Sequence, residues 1–507
     1  MQLTAIRSPD VALLCQRHGE QIRSSRTANL AIGGIVTLAE IRMDVAGGHR
    51  SMSTKVRAGI EVARPRTTLT LFDAVTMIVG IVIGVGIFRS PSIVAGSVGS
   101  ETTFIGLWIA GGVFSLIGAL CYAELGSCHP NAGGEYYFLR KAFGDWLGFL
   151  FAWSRMMVIQ TGAIAAIAFV FGDYASTLLP LGSHSSSIYA AAAIIAITAL
   201  NAAGTRQSKL LQNALTVALG LAILAVVVGG FTTSAAPPVT APSTDGGLGF
   251  TGLALIFVLL TYGGWNEAAY LTAEMRDTGR NIVRALVIGI VVITVLYMLL
   301  NLAYLRVLGL AGMKASNAVA SDLMKATWGN GGAWLLGIAV VSAALSTLNA
   351  TVFTGARTNY ALGRDFSIFR ALGRWNEKAS APVSALLAQG AIAVALVLLA
   401  SFTPDGFQTM VAYTAPAFWL FFLLTGVSLF FLRRQPAANP NPFRVPLYPV
   451  TPLLFIAGCA FMFYSSVDYA LGIHQGSIGA IVGIAMLIAG VPMLIWAKRT
   501  VPDSKRK

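Results

Sequence analysis

The sequence predicts an all-α polytopic membrane protein, on the basis of its composition and of one recurring pattern. Of the 507 residues, 56% are hydrophobic and only 11% are charged, and the mean hydropathy is +0.72. Windows of about 20 apolar residues, the length that a spanning helix needs, recur along most of the chain after Leu69. This composition excludes an ordinary soluble enzyme.

Twelve such windows predict 12 transmembrane helices. Their approximate bounds are 69–93, 103–126, 143–172, 187–204, 209–231, 250–272, 284–309, 332–356, 382–402, 408–432, 448–468 and 475–497. With both termini cytoplasmic, thirty of the 35 lysines and arginines fall on the cytoplasmic side and four on the other, with Arg155 inside a span. This bias predicts a multi-pass protein of the cytoplasmic (inner) cell membrane with both termini cytoplasmic. Basic loops beside membrane lipid explain the net charge of +14, and no nucleic-acid partner is predicted.

The cysteines and histidines follow no pattern typical of a disulfide framework or a metal site. Cys15, Cys121, Cys128 and Cys459 fall in the N-terminal tail, a span, a cytoplasmic loop and another span. The five histidines are scattered along the chain. We therefore predict no metal site and no cofactor.

Residues 1–66 form an N-terminal cytoplasmic extension that does not share the pattern of the rest. Their apolar stretch ANLAIGGIVTLAEI, at 28–41, is too short to span a membrane and contains Glu40. The charged start, apolar core and cleavage site of a signal peptide are missing. The segment is predicted either to be disordered or to lie upstream of a true start at Met52. Sequencing the N-terminus of the native protein would decide between them.

Two spans are interrupted by glycines where bulky side chains are usual. The first contains GIVIGVGIF (80–88), and the sixth contains LLTYGGWNEAAYL (259–271). Gly80 and Gly84 alone also fit the small-residue spacing that lets two membrane helices approach closely. Interruptions in spans 1 and 6 lie five spans apart, so equivalent helices run in opposite directions through the bilayer. This spacing is typical of an inverted five-helix repeat whose broken helices face each other near the midplane.

The repeat sets the predicted domain bounds. The first repeat covers 67–231 (spans 1–5), the second covers 250–432 (spans 6–10), spans 11 and 12 occupy 448–497, and a basic cytoplasmic tail covers 498–507. Breaking span 1 at Gly84, Val85 and Gly86 exposes amide N–H groups that favour a carboxylate. The carbonyl groups freed at the end of the preceding half-helix accept hydrogen bonds from an ammonium. The breaks therefore predict recognition of an α-amino acid head group.

Four segments resemble a known family. They are GIVIGVGIF, CYAELGSCHPNAGGEYYFLRKAFG (121–144), YGGWNEAAYLTAEMRD (262–277) and GARTNYALGRD (355–365). Together they are similar to permeases of the amino acid, polyamine and organocation (APC) superfamily, nearest its L-amino-acid-transporter-like branch, from about Thr67 to Trp496. The resemblance implies a LeuT-type 5+5 inverted repeat plus two C-terminal helices. It also implies a secondary active amino acid transporter that works by alternating access, by proton symport or by amino acid exchange.

The resemblance also implies the substrate site. The carboxylate would meet the break at Gly84, Val85, Gly86 and Ile87. The other implied positions are Val82, Ile83 and Leu260 for the ammonium, Tyr262, Gly263 and Gly264 for the side-chain pocket, and Trp265 and Asn266 as supports of the unwound segment.

Two positions depart from that family. A lysine common in span 5 is replaced by Leu219, which argues against a lysine-based proton mechanism. The frequent aromatic gate of span 6 is replaced by Leu260. Ser342 and Ser346 in span 8 stand where related folds coordinate sodium, but no acidic ligand accompanies them, so a sodium site is not favoured.

Ionisable residues near the breaks are the other functional candidates. Glu267 follows the break in span 6 and is predicted either to couple transport to a proton or cation, or to be a structural partner of a cation such as Arg155. Arg155 itself is expected to snorkel toward the cytoplasmic interface. The inner gate is predicted at Glu124 and Glu274, paired with loop arginines such as Arg276, Arg280 or Arg357.

The alternatives are a transport-inactive amino acid sensor on the same scaffold, a channel, and a membrane-embedded enzyme. The enzyme is disfavoured because neither GxSxG nor HExxH occurs in the chain. The expected ligand is a small-molecule amino acid, and the expected state is a monomer or weak homo-oligomer. Because no cysteine lies in a predicted external loop, no covalent heavy subunit is expected.

Overall fold

A computed structural model of the chain describes residues 28–32, 35–46, 49–56, 69–131, 133–204, 209–233, 248–272, 275–377, 379, 381–471 and 478–499. The chain divides into two units, Met1–Arg66 and Thr67–Lys507. In the first unit, strands β1 (Ala28–Ile32), β2 (Ile35–Ala46) and β3 (His49–Val56) form an antiparallel sheet in that order. The sequence predicted no strands here, although residues 40–45 alternate charged and apolar side chains with the period of a strand.

The second unit is built of helices. The helices before residue 180 are α1 (Leu71–Val82), α2 (Ser90–Gly96), α3 (Glu101–Cys128), α4 (Gly134–Phe143), α5 (Asp145–Ser154) and α6 (Gln160–Leu178). The later helices are α7 (Ser185–Ala202), α8 (Lys209–Thr232), α9 (Leu248–Thr261), α10 (Ala268–Leu271), α11 (Thr278–Lys314), α12 (Val319–Asp365), α13 (Val383–Ala400), α14 (Gly406–Leu432), α15 (Val450–Leu471) and α16 (Ile478–Arg499).

Within the described residues, nine helical stretches are long and apolar enough to cross a membrane. One of them, Asp145–Leu178, joins α5 to α6 through a π-helical turn at Arg155–Ile159. Three further apolar stretches, Leu71–Val82, Leu219–Thr232 and Gly252–Thr261, lie in α1, α8 and α9, at the first, fifth and sixth predicted spans. Helices α1 and α9 each end at a break.

The two longest helices each contain a kink at one boundary of the predicted span. Gly309 in α11 and Gly329 in α12 have positive φ values of 63° and 69°, a conformation that only glycine adopts without strain. The predicted span 284–309 ends at Gly309, and the predicted span 332–356 begins just after Gly329. The chain between the kinks therefore forms a connection of its own at one end of the bundle.

Small residues let the helices pack closely. On α3, a side chain at Gly112 would collide with Thr294 of α11, and one at Gly118 would collide with Trp265. Large apolar side chains such as Leu335 and Phe402 remain exposed on the outer surface. Exposed apolar surface of this kind belongs against lipid rather than water, and the second unit is thus an all-helical polytopic membrane protein.

Candidate functional site at two helix breaks

The first break lies where the glycines predicted it. Helix α1 ends at Val82, Gly84 is extended with φ −94° and ψ −179°, and a short 3-10 turn covers Val85–Phe88. Helix α2 then starts at Ser90 with a proline in its first turn. The first amides of such a turn have no acceptor within it, so they are available to a ligand.

The second break has the same form. Helix α9 ends at Thr261, and the chain turns through Gly263 and Gly264 into a 3-10 turn at Trp265–Glu267 and then into α10. Gly264 has φ +108°, which explains the glycine at this position. A Cβ atom there would lie 3.0 Å from the side chain of Ile81. The second break therefore lies against the end of α1, next to the first break.

Tyr297 joins the two breaks, a role that was not predicted from the sequence. Its hydroxyl on α11 lies 2.9 Å from the carbonyl oxygen of Val82 and 3.1 Å from that of Thr261. These carbonyls end the helices that precede the two breaks. A hydroxyl has a single proton to donate, so the two oxygens share it and keep capacity for a second donor. Tyr297 is fully buried, and only its position inside the seventh predicted span, 284–309, was visible in the sequence.

The side chains around the second break are fixed by packing. Tyr262 donates a hydrogen bond to the carbonyl of Trp108 and contacts the rings of Trp108 and Tyr297. Trp265 packs edge-on against Tyr122, with ring centroids 5.1 Å apart. Asn266 donates to the carboxylate of Glu135 at 3.3 Å. Trp265 and Asn266 are both buried, and Leu260 is half-buried beside the break.

A charge cluster lies immediately after the second break. The guanidinium of Arg155 contacts the carboxylate of Glu267 at 3.3 Å and that of Glu135 at 3.9 Å, and it donates to the Tyr270 hydroxyl at 3.0 Å. The snorkelling expected for Arg155 is wrong, since its side chain is only 11% exposed. Arg155 is the first residue of the π-helical turn Arg155–Ile159, which adds a residue to the helix at this point. Of the two roles weighed for Glu267, the ion pair with Arg155 is present.

Glu135 lies in this cluster on α4, between two spans. It accepts a 2.6 Å hydrogen bond from the Tyr122 hydroxyl in addition to the bond from Asn266. Burial raises the pKa of Glu135 to about 7, against the lowering effect of Tyr122 and Arg155. The sequence showed Glu135 only as part of a family segment and did not assign it a role.

A second charge cluster, missed by sequence reasoning, follows the first break. Arg89 is 4% exposed, and it contacts Asp173 at 3.1 Å and Asp405 at 2.5 Å. It also donates to Ser92 at 2.7 Å and to Asn317 at 3.0 Å. The sequence signal that could have identified this cluster is Arg89 itself, a charged residue inside the predicted span 69–93.

The predicted inner gate is only partly present. Glu124 is buried, but its carboxylate contacts Arg433 and Arg444 and accepts from the backbone N–H of Val445 at 2.7 Å. Glu124 therefore pairs with loop arginines as expected, but these are Arg433 and Arg444 and not the examples Arg276, Arg280 or Arg357. Those partners are replaced because residues 433–449 fold back over the end of α3.

The other described residues of the predicted gate, Arg276 and Arg280, lie in the loop after the second break. Through their backbone N–H groups, Arg276 donates to Leu69 and Arg280 to Asp277, while Glu274 lies outside the described residues.

Among the described residues, no group of three His, Cys, Asp or Glu side chains suits a metal ion. Cys121, Cys128 and Cys459 are buried free thiols.

Comparison with known proteins agrees with this geometry. The family described as "Amino acid permease" matches residues 69–487. The b(0,+)-type amino acid transporter 1 of Mus musculus is 32% identical over 75% of this chain and 78% of its own length. The large neutral amino acids transporter small subunit 2 of Homo sapiens is 29% identical, covering 88% and 83%. The serine/threonine exchanger SteT of Bacillus subtilis (strain 168) is 26% identical, covering 78% and 90%. These relatives are transporters and not enzymes, and the chain belongs to the amino acid permease family of the APC superfamily, on its L-type branch.

Proposed function

We propose that this chain is a secondary active amino acid transporter that works by alternating access. The observation that carries the proposal is that the two helix breaks lie next to each other, with end carbonyls that share the Tyr297 hydroxyl proton. A polar ligand seated there would satisfy backbone groups that are costly to leave unpaired in hydrocarbon. Membership of the permease family supports the same conclusion.

The head group of the amino acid provides the recognition. The substrate carboxylate lies against the amides of Val85, Gly86 and Ile87, at the start of the turn that follows the first break. The ammonium donates to carbonyl groups at the two helix ends, near Val82, Ile83 and Leu260. Hydrogen bonds to charged groups are the stronger class, so charge on both ends of the head group favours a zwitterion.

The architecture that accompanies this function is twelve spans with an inverted 5+5 repeat and two further helices. The nine long apolar stretches and the three shorter ones support twelve spans. The similar form of the two breaks, each a helix end followed by a 3-10 turn, supports the repeat. The distribution of basic residues supports a cytoplasmic position for both termini.

Exchange is the favoured coupling, with proton symport as the alternative. One relative is named as a serine/threonine exchanger. In this chain Glu267 contacts Arg155, which gives its carboxylate a structural partner. For the inner gate we retain Glu274, Arg276 and Arg280 as candidates in the loop after the second break.

The protein is expected to act without a covalently attached subunit. One relative is named as a small subunit, which implies a larger companion for that protein. In this chain the three cysteines within the described residues are buried in α3 and α15. A disulfide to a companion needs an accessible thiol, so these three cysteines are not suited to one, and Cys15 lies outside the described residues.

The test is uptake of radiolabelled amino acids by proteoliposomes holding the purified protein. Uptake that requires unlabelled amino acid inside establishes exchange, and uptake into empty vesicles driven by an inward proton gradient establishes symport. Glu267→Gln then separates the two roles of that carboxylate, because a proton-coupling group would change the pH dependence of the transport rate. Binding without uptake of any amino acid would contradict transport and favour a sensor.

A further inference from the structure

We propose that a groove between α3 and α11 binds one molecule of phosphatidylethanolamine from the surrounding membrane. The groove has a volume of about 490 Å³, which lies within the usual range of small-molecule sites. It is lined by three polar and three apolar side chains, namely Glu101, Thr102, Ile105, Leu302, Leu305 and Arg306. With the proposed cytoplasmic termini, this end of the two helices faces outside the cell. A lipid site here goes beyond the proposed transport function and does not depend on it.

Two opposite charges lie at the same level of the groove. Deeper in the membrane the two helices pack closely, since a side chain at Gly112 on α3 would collide with Thr294 on α11. Glu101 is eleven residues from Gly112, and Arg306 is twelve residues from Thr294. These separations are about 17 Å and 18 Å along the two helix axes. The carboxylate and the guanidinium therefore reach the groove at nearly equal distances from the close contact.

Neither charge is neutralised by the part of the protein that the structure describes. Glu101 and Arg306 are both exposed, and they take part in none of the ion pairs among the described residues. Although they line the same groove, their charged groups lie more than 4.0 Å apart. A ligand that carries one charge of each sign can therefore meet both side chains at once.

Apolar side chains continue the groove toward the middle of the membrane. Leu305 is buried in the wall of the groove and Ile105 is half-buried. Below them, α3 exposes Ile109, and α11 exposes Leu299 and Val295. The spacings of three and four residues keep these side chains on one face of each helix. This surface suits the acyl chains of a lipid, whereas a water-soluble zwitterion would make no use of it.

The two charges select among the common phospholipid head groups. The guanidinium of Arg306 matches the oxygens of a phosphate, and the Thr102 hydroxyl can donate to the same group. The carboxylate of Glu101 accepts hydrogen bonds from the ammonium of ethanolamine. Phosphatidylcholine has no N–H group to donate to that carboxylate. Phosphatidylglycerol has no cation at all, so Glu101 would repel its charge.

The experiment measures how far each phospholipid raises the unfolding temperature of the delipidated full-length protein in detergent. We expect phosphatidylethanolamine to reach half of its effect at about fivefold to tenfold lower concentration than phosphatidylcholine or phosphatidylglycerol. Soluble O-phosphoethanolamine carries the same head group without acyl chains and should have no effect at these concentrations. Equal half-maximal concentrations for the three lipids, or an equal effect of O-phosphoethanolamine, would overturn the lipid site.

Two variants test the two charges separately. Arg306→Gln removes the phosphate partner and should raise the half-maximal concentration of phosphatidylethanolamine about fivefold to tenfold. Glu101→Gln removes the ammonium partner and the repulsion of phosphatidylglycerol together, so the preference between these two lipids should disappear. Because both side chains are exposed and outside the ion pairs of the described residues, both variants should fold.

Lys325→Gln is the matched control, because it removes an exposed positive charge from α12 in the connection between Gly309 and Gly329. It should leave the half-maximal concentration of every lipid unchanged. Arg306→Gln or Glu101→Gln variants that behave like this control would contradict the site. Since the measurement is of stability, a wild-type protein without exchange would overturn the proposed function and leave the lipid site standing.

Discussion

At the scale of single residues, the site depends on a few groups that have no substitute. Tyr297 shares one proton between the carbonyls of Val82 and Thr261, and Gly264 takes a backbone conformation that other residues rarely adopt. Neither residue carries charge. Their effects are local and are best tested by removing one group at a time.

Removing the Tyr297 hydroxyl should weaken substrate binding. In Tyr297→Phe the two carbonyls lose their shared donor, and a hydrogen bond contributes about 0.5–1.5 kcal/mol net. We expect KM for exchange to rise about twofold to tenfold, because the carbonyls no longer hold the positions that receive the ammonium. Tyr304→Phe is the control on the same helix, since the buried Tyr304 hydroxyl has no hydrogen-bond partner within the described residues. Equal KM changes in the two variants would contradict a role at the breaks.

Gly264→Ala should destabilise the protein. The positive φ costs an alanine about 1–2 kcal/mol, and the new methyl group would press on Ile81. The apparent unfolding temperature in detergent should therefore fall. Gly220→Ala, in α8 with open space around its Cβ, should raise it slightly through helix propensity. An unchanged unfolding temperature for Gly264→Ala would show that the turn can relax.

At the scale of elements, short connections between spans carry the ion pairs that fix the helix ends. Residues 433–449 join α14 to α15 and fold over the end of α3, where Ser127 accepts from the backbone N–H of Phe443 at 3.0 Å. Helix α4 brings Glu135 under the second break. The sequence predicted both connections as segments between spans, but it did not predict which residues they contact.

Glu124→Gln should loosen residues 433–449. The carboxylate is 2% exposed and serves Arg433, Arg444 and the N–H of Val445, and hydrogen bonds to charged groups contribute about 1.5–3 kcal/mol. Hydrogen–deuterium exchange across this connection should rise in the variant. Asp145→Asn removes an exposed ion pair, whose contribution to stability is at most about 1 kcal/mol. This variant should leave hydrogen–deuterium exchange across residues 433–449 unchanged.

Glu135 should make stability depend on pH. Its pKa is raised from 4.5 to about 7, so between these values the folded state holds a proton that the unfolded state has lost. The stabilisation is complete below pH 4.5 and is lost as the pH rises to 7, by up to about 1.4 kcal/mol per pH unit. Unfolding temperatures measured across this range should fall with rising pH, and Glu135→Gln should flatten that part of the curve. An identical slope in both proteins would contradict a buried protonated Glu135.

At the scale of the whole molecule, the sequence predicted the breaks and the helical class well because both have local causes. Glycines at 80–86 and at 263–264 interrupt apolar windows, and a window of apolar residues is visible without knowing what it packs against. The segments that identified the family are local too. The match to residues 69–487 confirms that identification.

The ion pairs were not predictable in the same way because their partners are far apart in sequence. Arg89 and Asp405 are separated by 316 residues, and Arg155 and Glu267 by 112. The sequence predicted Arg155 at the interface, whereas its guanidinium contacts Glu135 and Glu267 inside the protein. Glu124 was correctly expected to form ion pairs, but its arginines come from residues 433–449 rather than from the loop after the second break.

The central claim is that the two breaks receive the head group of an amino acid, and competition for exchange tests it most directly. Uptake of radiolabelled L-alanine into proteoliposomes loaded with L-alanine would be measured with unlabelled L-alanine, its methyl ester or its N-acetyl derivative outside. We expect only free L-alanine to compete, because the ester lacks the carboxylate for the amides at Val85–Phe88 and the acetyl group removes the ammonium. Equal competition by all three compounds would contradict head-group recognition at the breaks.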